Sequence, residues 1–271
     1  WSLTGTQPMK SERAYRARLI VPLAIALVVP LLSYTVFQLL QRNRDEEQIK
    51  AIYDRQMNTI VFSVNQFCWD TFRSWVTQLR PALPLSCSGS GARSREQLSM
   101  FLRENPPVIG VMVSCGNGVI HEAEEGRGRG GARGAAAGRR FARVLQDSTT
   151  RVDKIVRRAR KGYVQPFVVE WSRQQGNRVS LLVVALSAQL DAEPAMAGLL
   201  VDDSVFVADV VAQKVGEMSE GDFAFAVTTE QRTLLRTETG RTRPYEYSEH
   251  LWLLPHLQVR AGMRGTSLAQ V

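Results

Sequence analysis

LIVPLAIALVVPLLSYTVFQLL, from Leu19 to Leu40, is an apolar stretch without a charged residue, and charged residues flank it on both sides. A helix needs about 20 predominantly apolar residues to cross the hydrocarbon core of a membrane. Pro22 and Pro30 lie inside the stretch, but membrane helices tolerate proline because neighbouring groups satisfy the freed carbonyls. We therefore predict a transmembrane helix over 19–40. A cleaved signal peptide is the alternative, and the lack of a small-x-small cleavage site disfavours it.

The flanking charges predict an orientation for this helix. Its N-terminal side carries one acid, Glu12, and four basic residues, Lys10, Arg13, Arg16 and Arg18. Positive residues favour the cytoplasmic side of a membrane. Residues 1–18 are thus predicted to be a cytoplasmic arm in contact with membrane lipid. Everything from residue 41 onward is expected outside the cytoplasm, in the periplasm if the anchor is a bacterial inner membrane.

Charge and cysteine content exclude several classes of protein. The formal net charge is +8 and the pI is about 9.8. Much of this excess of positive charge lies in two segments, the N-terminal arm and a Gly/Arg-rich insert over 124–140. Because the charge is concentrated there, we predict no nucleic-acid partner. Cys68, Cys87 and Cys115 lack the spacing of a zinc site or a disulfide framework, although one Cys87–Cys115 bridge stays open. No catalytic motif occurs, and we expect no catalytic residue, no metal and no cofactor.

A long amphipathic helix is predicted within residues 41–80. Apolar residues recur at three-to-four spacing from Gln48 to Leu79, which indicates one helical face, and the helix is expected to continue the membrane span. Phe67, Trp75 and Leu79 are the candidate signalling residues, either at the seam of a symmetric homodimer or at the contact between helix and sheet. Pro81 ends the helix.

Residues 81–265 combine helices with short strands. The predicted elements are a helix over Ser94–Glu104 capped by Ser94, a hairpin over Val108–Ser114 and Val119–Ala123, a flexible loop over 124–140, a basic helix over Phe141–Arg160, strands over Tyr163–Ser172, Arg178–Ser187 and Ala197–Val201, a helix over Ser204–Met218, a hairpin over Phe223–Thr237 and a strand over Leu251–Arg260. This order indicates an α+β domain, in which a mainly antiparallel sheet packs against the long helix.

The order of these motifs resembles that of a Cache-type, PAS-like sensor domain. The stretch Gly198-Leu-Leu-Val-Asp-Asp-Ser-Val-Phe, a helix, then Gly221-Asp-Phe-Ala-Phe-Ala-Val-Thr-Thr and Thr233-Leu-Leu-Arg236 resembles the final half of such a domain. The stretch Ile60-Val-Phe-Ser-Val-Asn-Gln-Phe-Cys-Trp-Asp70, with Trp75, Phe101–Asn105 and Leu251–Pro255, is similar to the input regions of bacterial membrane-bound sensor histidine kinases. The resemblance covers most of 41–265.

The resemblance implies a function in signalling. The chain would be the input region of a two-component sensor histidine kinase, act as a homodimer, respond to an unidentified small-molecule or envelope stimulus, and reach a cytoplasmic response regulator through an output domain. The sequence itself has no phospho-accepting His box, Asn box or ATP lid. Residues 266–271 are predicted to begin a connection to a second transmembrane helix. A membrane-anchored envelope scaffold, or an input domain of a diguanylate cyclase or chemoreceptor, is the alternative.

Six residues are candidate ligand contacts. Tyr163, Phe167, Trp171 and Arg178 would offer aromatic walls and one charged anchor on the strands. Asp202 and Asp203 end a strand before a helix, where the resembled family often places a polar ligand contact. Each has a structural alternative, because aromatic strand residues usually belong to a core and an Asp before a helix is usually its N-cap.

The run from Arg151 to Lys161 is strongly basic, with six Arg and Lys residues. A solvated helix face is one interpretation. The other is contact with anionic lipid headgroups or with an anionic ligand.

Overall fold

The computed structural model describes residues 9–82, 91–114, 120–124, 132–174, 177–186, 195–218, 223–237 and 247–263. The chain divides into two compact units, of which the first comprises Trp1–Gln56 with Leu268–Val271 and the second comprises Met57–Ser267. One helix, α1 (Met9–Leu79), begins in the first unit and ends in the second. All the described strands belong to the second unit.

The first unit contains the apolar run. The described side chains of this run, over 26–40, are exposed, among them Leu31 at 63% and Phe37 at 60%. No helix within the described residues has the length and the apolar content that crossing a membrane requires. The span over 19–40 stays a prediction.

The second unit is built from short helices and antiparallel strands. After α1, the described elements are α2 (Gly91–Glu104), β1 (Val108–Ser114), β2 (Ile120–Glu124), α3 (Ala132–Asp147), α4 (Thr149–Ala159), β3 (Phe167–Gln174), β4 (Asn177–Leu186), β5 (Ala195–Asp202), α5 (Asp203–Phe206), a π-helical turn (Val207–Val211), α6 (Ala212–Met218), β6 (Phe223–Thr228), β7 (Thr233–Arg236), β8 (Tyr247–His250) and β9 (Gln258–Met263). The predicted α+β class is confirmed.

The strands form two sheets, whereas the sequence predicted one. The larger sheet has the order β2-β1-β5-β4-β3 and the smaller has the order β7-β6-β9-β8. Every described pair in both sheets is antiparallel. The helical segment 203–218 connects the last strand of the larger sheet to the first strand of the smaller one. Local patterns predicted the strands but not which strands pair, because pairing depends on distant residues.

The C-terminal part of α1 belongs to the main apolar core. Its buried residues recur at three-to-four spacing: Met57, Ile60, Val61, Val64, Cys68, Phe72, Trp75, Val76 and Leu79. They form one cluster with Leu182 and Val184 of the larger sheet and with Phe225 and Val259 of the smaller one. Because one helix face packs in a core shared by both sheets, the predicted packing of a long helix on β structure is confirmed.

A second core lies on the other face of the larger sheet. Side chains alternate along a strand, so Leu181 and Val183 of β4 belong to this second cluster while Leu182 and Val184 belong to the first. Phe141 of α3 and Ile155 of α4, among others, cover this face. α3 approaches β5 closely at Gly198, where an added Cβ would lie 2.7 Å from Phe141 Cε2.

Several helix boundaries differ from the sequence predictions. α2 begins at Gly91, so Ser94 lies inside the helix and is not its cap. α3 begins at Ala132, within the segment that was predicted as a flexible loop, because its alanines and arginines favour helix. The helix predicted over 141–160 is broken at Ser148. α4 begins directly after it, at Thr149, and the Ser148 side chain forms no capping hydrogen bond.

The final predicted strand is shorter than expected. β9 begins at Gln258, and residues 251–257 form an irregular loop that contains Pro255, which has no backbone N–H to donate. Buried Asn65 of α1 holds this loop, because the backbone N–H of Trp252 donates to Asn65 Oδ1 at 2.8 Å. β8 was not predicted.

Candidate functional site

The candidate site begins where β4 and β5 lie side by side. Val179 pairs with Asp202, so Arg178 at the start of β4 lies next to the end of β5. The side chain of Asp202 caps the following helix and accepts hydrogen bonds from the backbone N–H groups of Ser204 at 2.9 Å and Val205 at 3.2 Å. Asp202 is therefore the N-cap of α5, which is the structural alternative that its position before a helix left open.

Asp203 is a buried carboxylate at the centre of a partly exposed charged cluster. Its side chain is only 2% exposed, and its Oδ2 lies 2.6 Å from Nε2 of His256. The same oxygen lies 3.9 Å from Nε of Arg178, whose Nη2 is 3.3 Å from Oε2 of Glu170. Charged side chains from the larger sheet thus meet a histidine from the loop that precedes β9 in the smaller sheet.

The cluster retains unused hydrogen-bonding capacity. Among the described residues, Asp203 Oδ1 and Arg178 Nε are buried and have no hydrogen-bond partner. Buried polar groups in native proteins are nearly always hydrogen-bonded, and burying a charge without full compensation costs stability. Asp203 Oδ1, a hydrogen-bond acceptor, and Arg178 Nε, a donor, therefore belong to one cluster and have no hydrogen-bond partner within it.

A small cavity of about 50 Å³ adjoins the cluster. Arg178, Asp203, Leu234 and the β6–β7 turn, Thr229–Arg232, line it. The turn is ordered internally by the backbone N–H of Thr229, which donates to the Arg232 carbonyl at 2.8 Å. Arg232 Nη2 donates to Ser204 Oγ at 2.9 Å, which joins the turn to α5. The lining carries both signs of charge, and the volume suits a few waters or a small polar group.

The segment that carries Asp203 also packs on α1. Phe206, the last residue of α5, lies edge to face with Trp75, with ring centroids 6.0 Å apart. Farther along the same segment, Nζ of Lys214 lies 5.7 Å from the centroid of the Phe67 ring. The segment that begins at Asp203 therefore contacts α1 through two side chains, Phe206 and Lys214.

The three candidate signalling residues all face the interior of their own chain. Trp75 and Leu79 are buried, and Phe67 is half-buried and packs against the main core. Trp75 contacts Phe206 and Phe67 lies near Lys214, both on the helical segment 203–218, and the signalling role of the three residues stays a prediction. A role at a dimer seam stays a prediction.

The predicted aromatic contacts lie elsewhere. Tyr163 is 67% exposed, and Phe167 and Trp171 belong to the second core. Trp171 is covered by the guanidinium of Arg140, 4.4 Å from the ring centroid. None of the three lines the cavity at Arg178. Of the six predicted contacts, the structure brings Arg178 and Asp203 together there.

Sequence reasoning missed several residues of this site. The sequence patterns single out neither His256 nor Glu170 nor the turn Thr229–Arg232. His256 and the turn come near Asp203 only when the two sheets come together, whereas Glu170 lies on β3 and contacts Arg178 within the larger sheet. The described residues contain no group of three or more His, Cys, Asp or Glu that could hold a metal ion. Cys87 and Cys115 lie outside the described residues.

No protein-family profile and no curated protein matches the chain. Solved structures with some likeness include the ligand-binding domain of the Campylobacter jejuni chemoreceptor Tlp3 in complex with L-norvaline, at 9% identity and a TM-score of 0.39 over 76% of this chain and 88% of that one. The periplasmic domain of Vibrio cholerae LuxQ gives 13% identity and a TM-score of 0.43 over 79% and 97%. An extracellular ligand binding receptor from Desulfohalobium retbaense gives 13% and 0.35 over 74% and 38%. At TM-scores below 0.5 these likenesses carry no argument about fold or function.

Proposed function

We propose that this chain is the signal-sensing input region of a membrane-bound two-component sensor histidine kinase. One observation carries the proposal: the helical segment that places buried Asp203 at a polar cavity also packs on α1 through Phe206 and Trp75. The sequence resemblance to Cache-type, PAS-like domains supports it.

The proposed mechanism begins with the unused donor and acceptor at Arg178 and Asp203. A stimulus that binds these groups changes the hydrogen bonds and ion pairs of the Asp203 cluster. As a result, the segment 203–218 moves relative to α1. A ligand can drive such a change only if it binds one conformation better than the other. A difference of about 5.5 kcal/mol is enough to invert a two-state equilibrium from 1:99 to 99:1.

The membrane part of the proposal rests on the sequence. α1 carries both the apolar run over 19–40 and the core-packed residues 57–79. We propose that the run anchors the chain in the inner membrane with residues 1–18 in the cytoplasm, that the second unit is periplasmic, and that two chains pair. A cytoplasmic response regulator would be the final partner.

An anchored envelope scaffold is the second candidate. It needs no pocket, and the filled core under α3 and α4 agrees with it. The cavity at Asp203 supports sensing, because polar groups of both charges converge on it. An input domain of a diguanylate cyclase or chemoreceptor would use the same cavity and differ only in output.

The coding sequence downstream of the codon for Val271 tests the kinase assignment. A second apolar span followed by a phospho-accepting His box and an ATP-binding domain is the expected result. A stop codon directly after Val271 would contradict the assignment and favour the scaffold. A cyclase or methyl-accepting domain in that position would keep sensing and replace the output.

A further inference from the structure

The outer side of α3 and α4 concentrates the positive charge of the chain. We name residues 136–161, which comprise most of α3, all of α4 and the two residues that follow it, the basic layer. It contains nine Arg and Lys residues and two acids, Asp147 and Asp153, while the whole chain has a net charge of +8. The layer's surplus is therefore almost as large as that of the entire protein.

The charges of the basic layer are available to a partner. Arg139, Arg143, Arg151, Lys154, Arg157 and Lys161 are exposed. Within the described residues, no carboxylate forms an ion pair with any of the nine basic side chains. Like charges this dense repel one another, and an anion that neutralises several of them at once gains free energy that isolated surface charges do not offer.

The apolar residues of the same helices are turned inward. Phe141 and Ile155 are buried in the second core, and Val144, Leu145 and Val152 pack against it. A helix that inserts into a membrane interface needs exposed apolar residues to bury among the lipids. None of these five apolar side chains is exposed for insertion into lipid. This favours an anionic polymer in solution over a lipid bilayer as the partner of the basic layer.

The composition of the layer indicates the kind of anion. Seven of its nine basic residues are arginine. The planar guanidinium binds phosphate through two parallel hydrogen bonds, whereas lysine acts as a point charge. Arg140 is moreover held against Trp171 at 4.4 Å, which restricts its motion and lowers the entropy that binding would cost.

We propose that the basic layer is a docking surface for inorganic polyphosphate, a linear polymer that carries many phosphates. The inference is independent of the proposed function and of the Asp203 site. The basic layer includes the run from Arg151 to Lys161. For this run the sequence alone left two interpretations open, a solvated helix face and contact with an anionic partner.

Binding of inorganic polyphosphate to the purified full chain in a non-ionic detergent tests the proposal. The layer variant combines Arg151→Gln, Lys154→Gln and Arg157→Gln on α4. The matched control combines Arg80→Gln, Arg103→Gln and Arg260→Gln, which are exposed and lie outside the layer. Both variants lose three positive charges, so general attraction by net charge falls equally in the two. Far-UV circular dichroism and urea unfolding verify that both remain folded.

The layer variant is expected to bind at least about tenfold more weakly, and the slope of log affinity against log salt concentration is expected to fall by about 3. The control is expected to stay within about twofold of the original chain. An equal loss in both variants would overturn the proposal, because net charge alone would then explain binding. Binding to phosphatidylglycerol vesicles, lost in the layer variant, without binding to polyphosphate would also overturn it and assign the layer to lipid.

Discussion

Trp75 of α1 and Phe206 of α5 meet edge to face, with their ring centroids 6.0 Å apart and their planes at 72°. Phe206 follows Asp203 by three residues, so one short helix has the buried carboxylate at one end and this aromatic contact at the other. Both rings are buried in the main core. The contact accordingly connects the candidate site to the helix that we propose to carry the signal.

A double-mutant cycle measures the strength of this connection. Trp75→Leu and Phe206→Leu are each expected to destabilise the fold, and the pair is expected to show a coupling free energy of about 0.5–1.5 kcal/mol. Urea unfolding of the four proteins gives the value. Additive effects of the two substitutions would show that the rings do not stabilise each other.

The charge of Asp203 is expected to contribute to stability. Asp203→Asn keeps the side-chain volume but leaves His256 and Arg178 facing a neutral amide, so we expect a loss of about 1–3 kcal/mol in the free energy of unfolding. Asp202→Asn is the matched control, since asparagine caps helices as well as aspartate does and the loss should be small. Equal stability of the two variants would mean that the cluster does not depend on the Asp203 charge.

Gly198 is expected to tolerate no side chain. A methyl group there would lie 2.7 Å from Phe141 Cε2 and 3.0 Å from Leu181 Cδ1, and both neighbours are fully buried. Gly198→Ala should therefore cost about 1–3 kcal/mol through overpacking. Gly216→Ala is the control, because an added Cβ meets nothing within 4 Å there and alanine favours the helix, so a gain of about 0.5–1 kcal/mol is expected. Thermal or urea unfolding distinguishes the two.

Cys68 is expected to lower stability at alkaline pH. Burial raises the pKa of its thiol from an ordinary 9.0 to about 12. Above pH 9 the unfolded chain loses a proton that the folded chain keeps up to about pH 12, so the free energy of unfolding falls as the pH rises through this window. At pH 10 the loss should be about 1.4 kcal/mol.

Comparison of the original chain with Cys68→Ser isolates this effect, because serine does not ionise in the same range. The difference in unfolding free energy between pH 8 and pH 10 should be smaller in the variant by about that amount. An identical pH dependence in both proteins would show that the thiol is accessible and titrates normally in the fold.

The sequence predicted the parts of this fold that local patterns encode. Three-to-four spacing gave the helix that ends at Leu79, and turn residues gave the β3–β4 and β6–β7 hairpins. Packing between distant segments was not predictable. The division into two sheets was not predicted. The contact of His256 with Asp203 and the approach of Phe141 to Gly198 each join residues more than 50 positions apart.

The same distinction applies to the candidate site. Asp203 was singled out because it follows a strand and precedes a helix, and Arg178 because it begins a strand. The aromatic residues Phe167 and Trp171 were candidates on their residue type alone, and they lie in a core that α3 and α4 cover. A single sequence does not distinguish a core aromatic residue from a pocket wall, because both are apolar residues on a strand.

Hydrogen exchange in α1 tests the central claim most directly. Arg178→Gln alters the Asp203 cluster without changing any residue of α1. Ile155→Val, in the second core, is the control, with an expected cost of about 0.5–1.5 kcal/mol. The account predicts that Arg178→Gln changes the exchange rates of α1 amides around Phe67 and Trp75 in the full chain, and that Ile155→Val does not. Unchanged α1 exchange in Arg178→Gln, or the same change in both variants, would contradict the claim that this cluster communicates with α1.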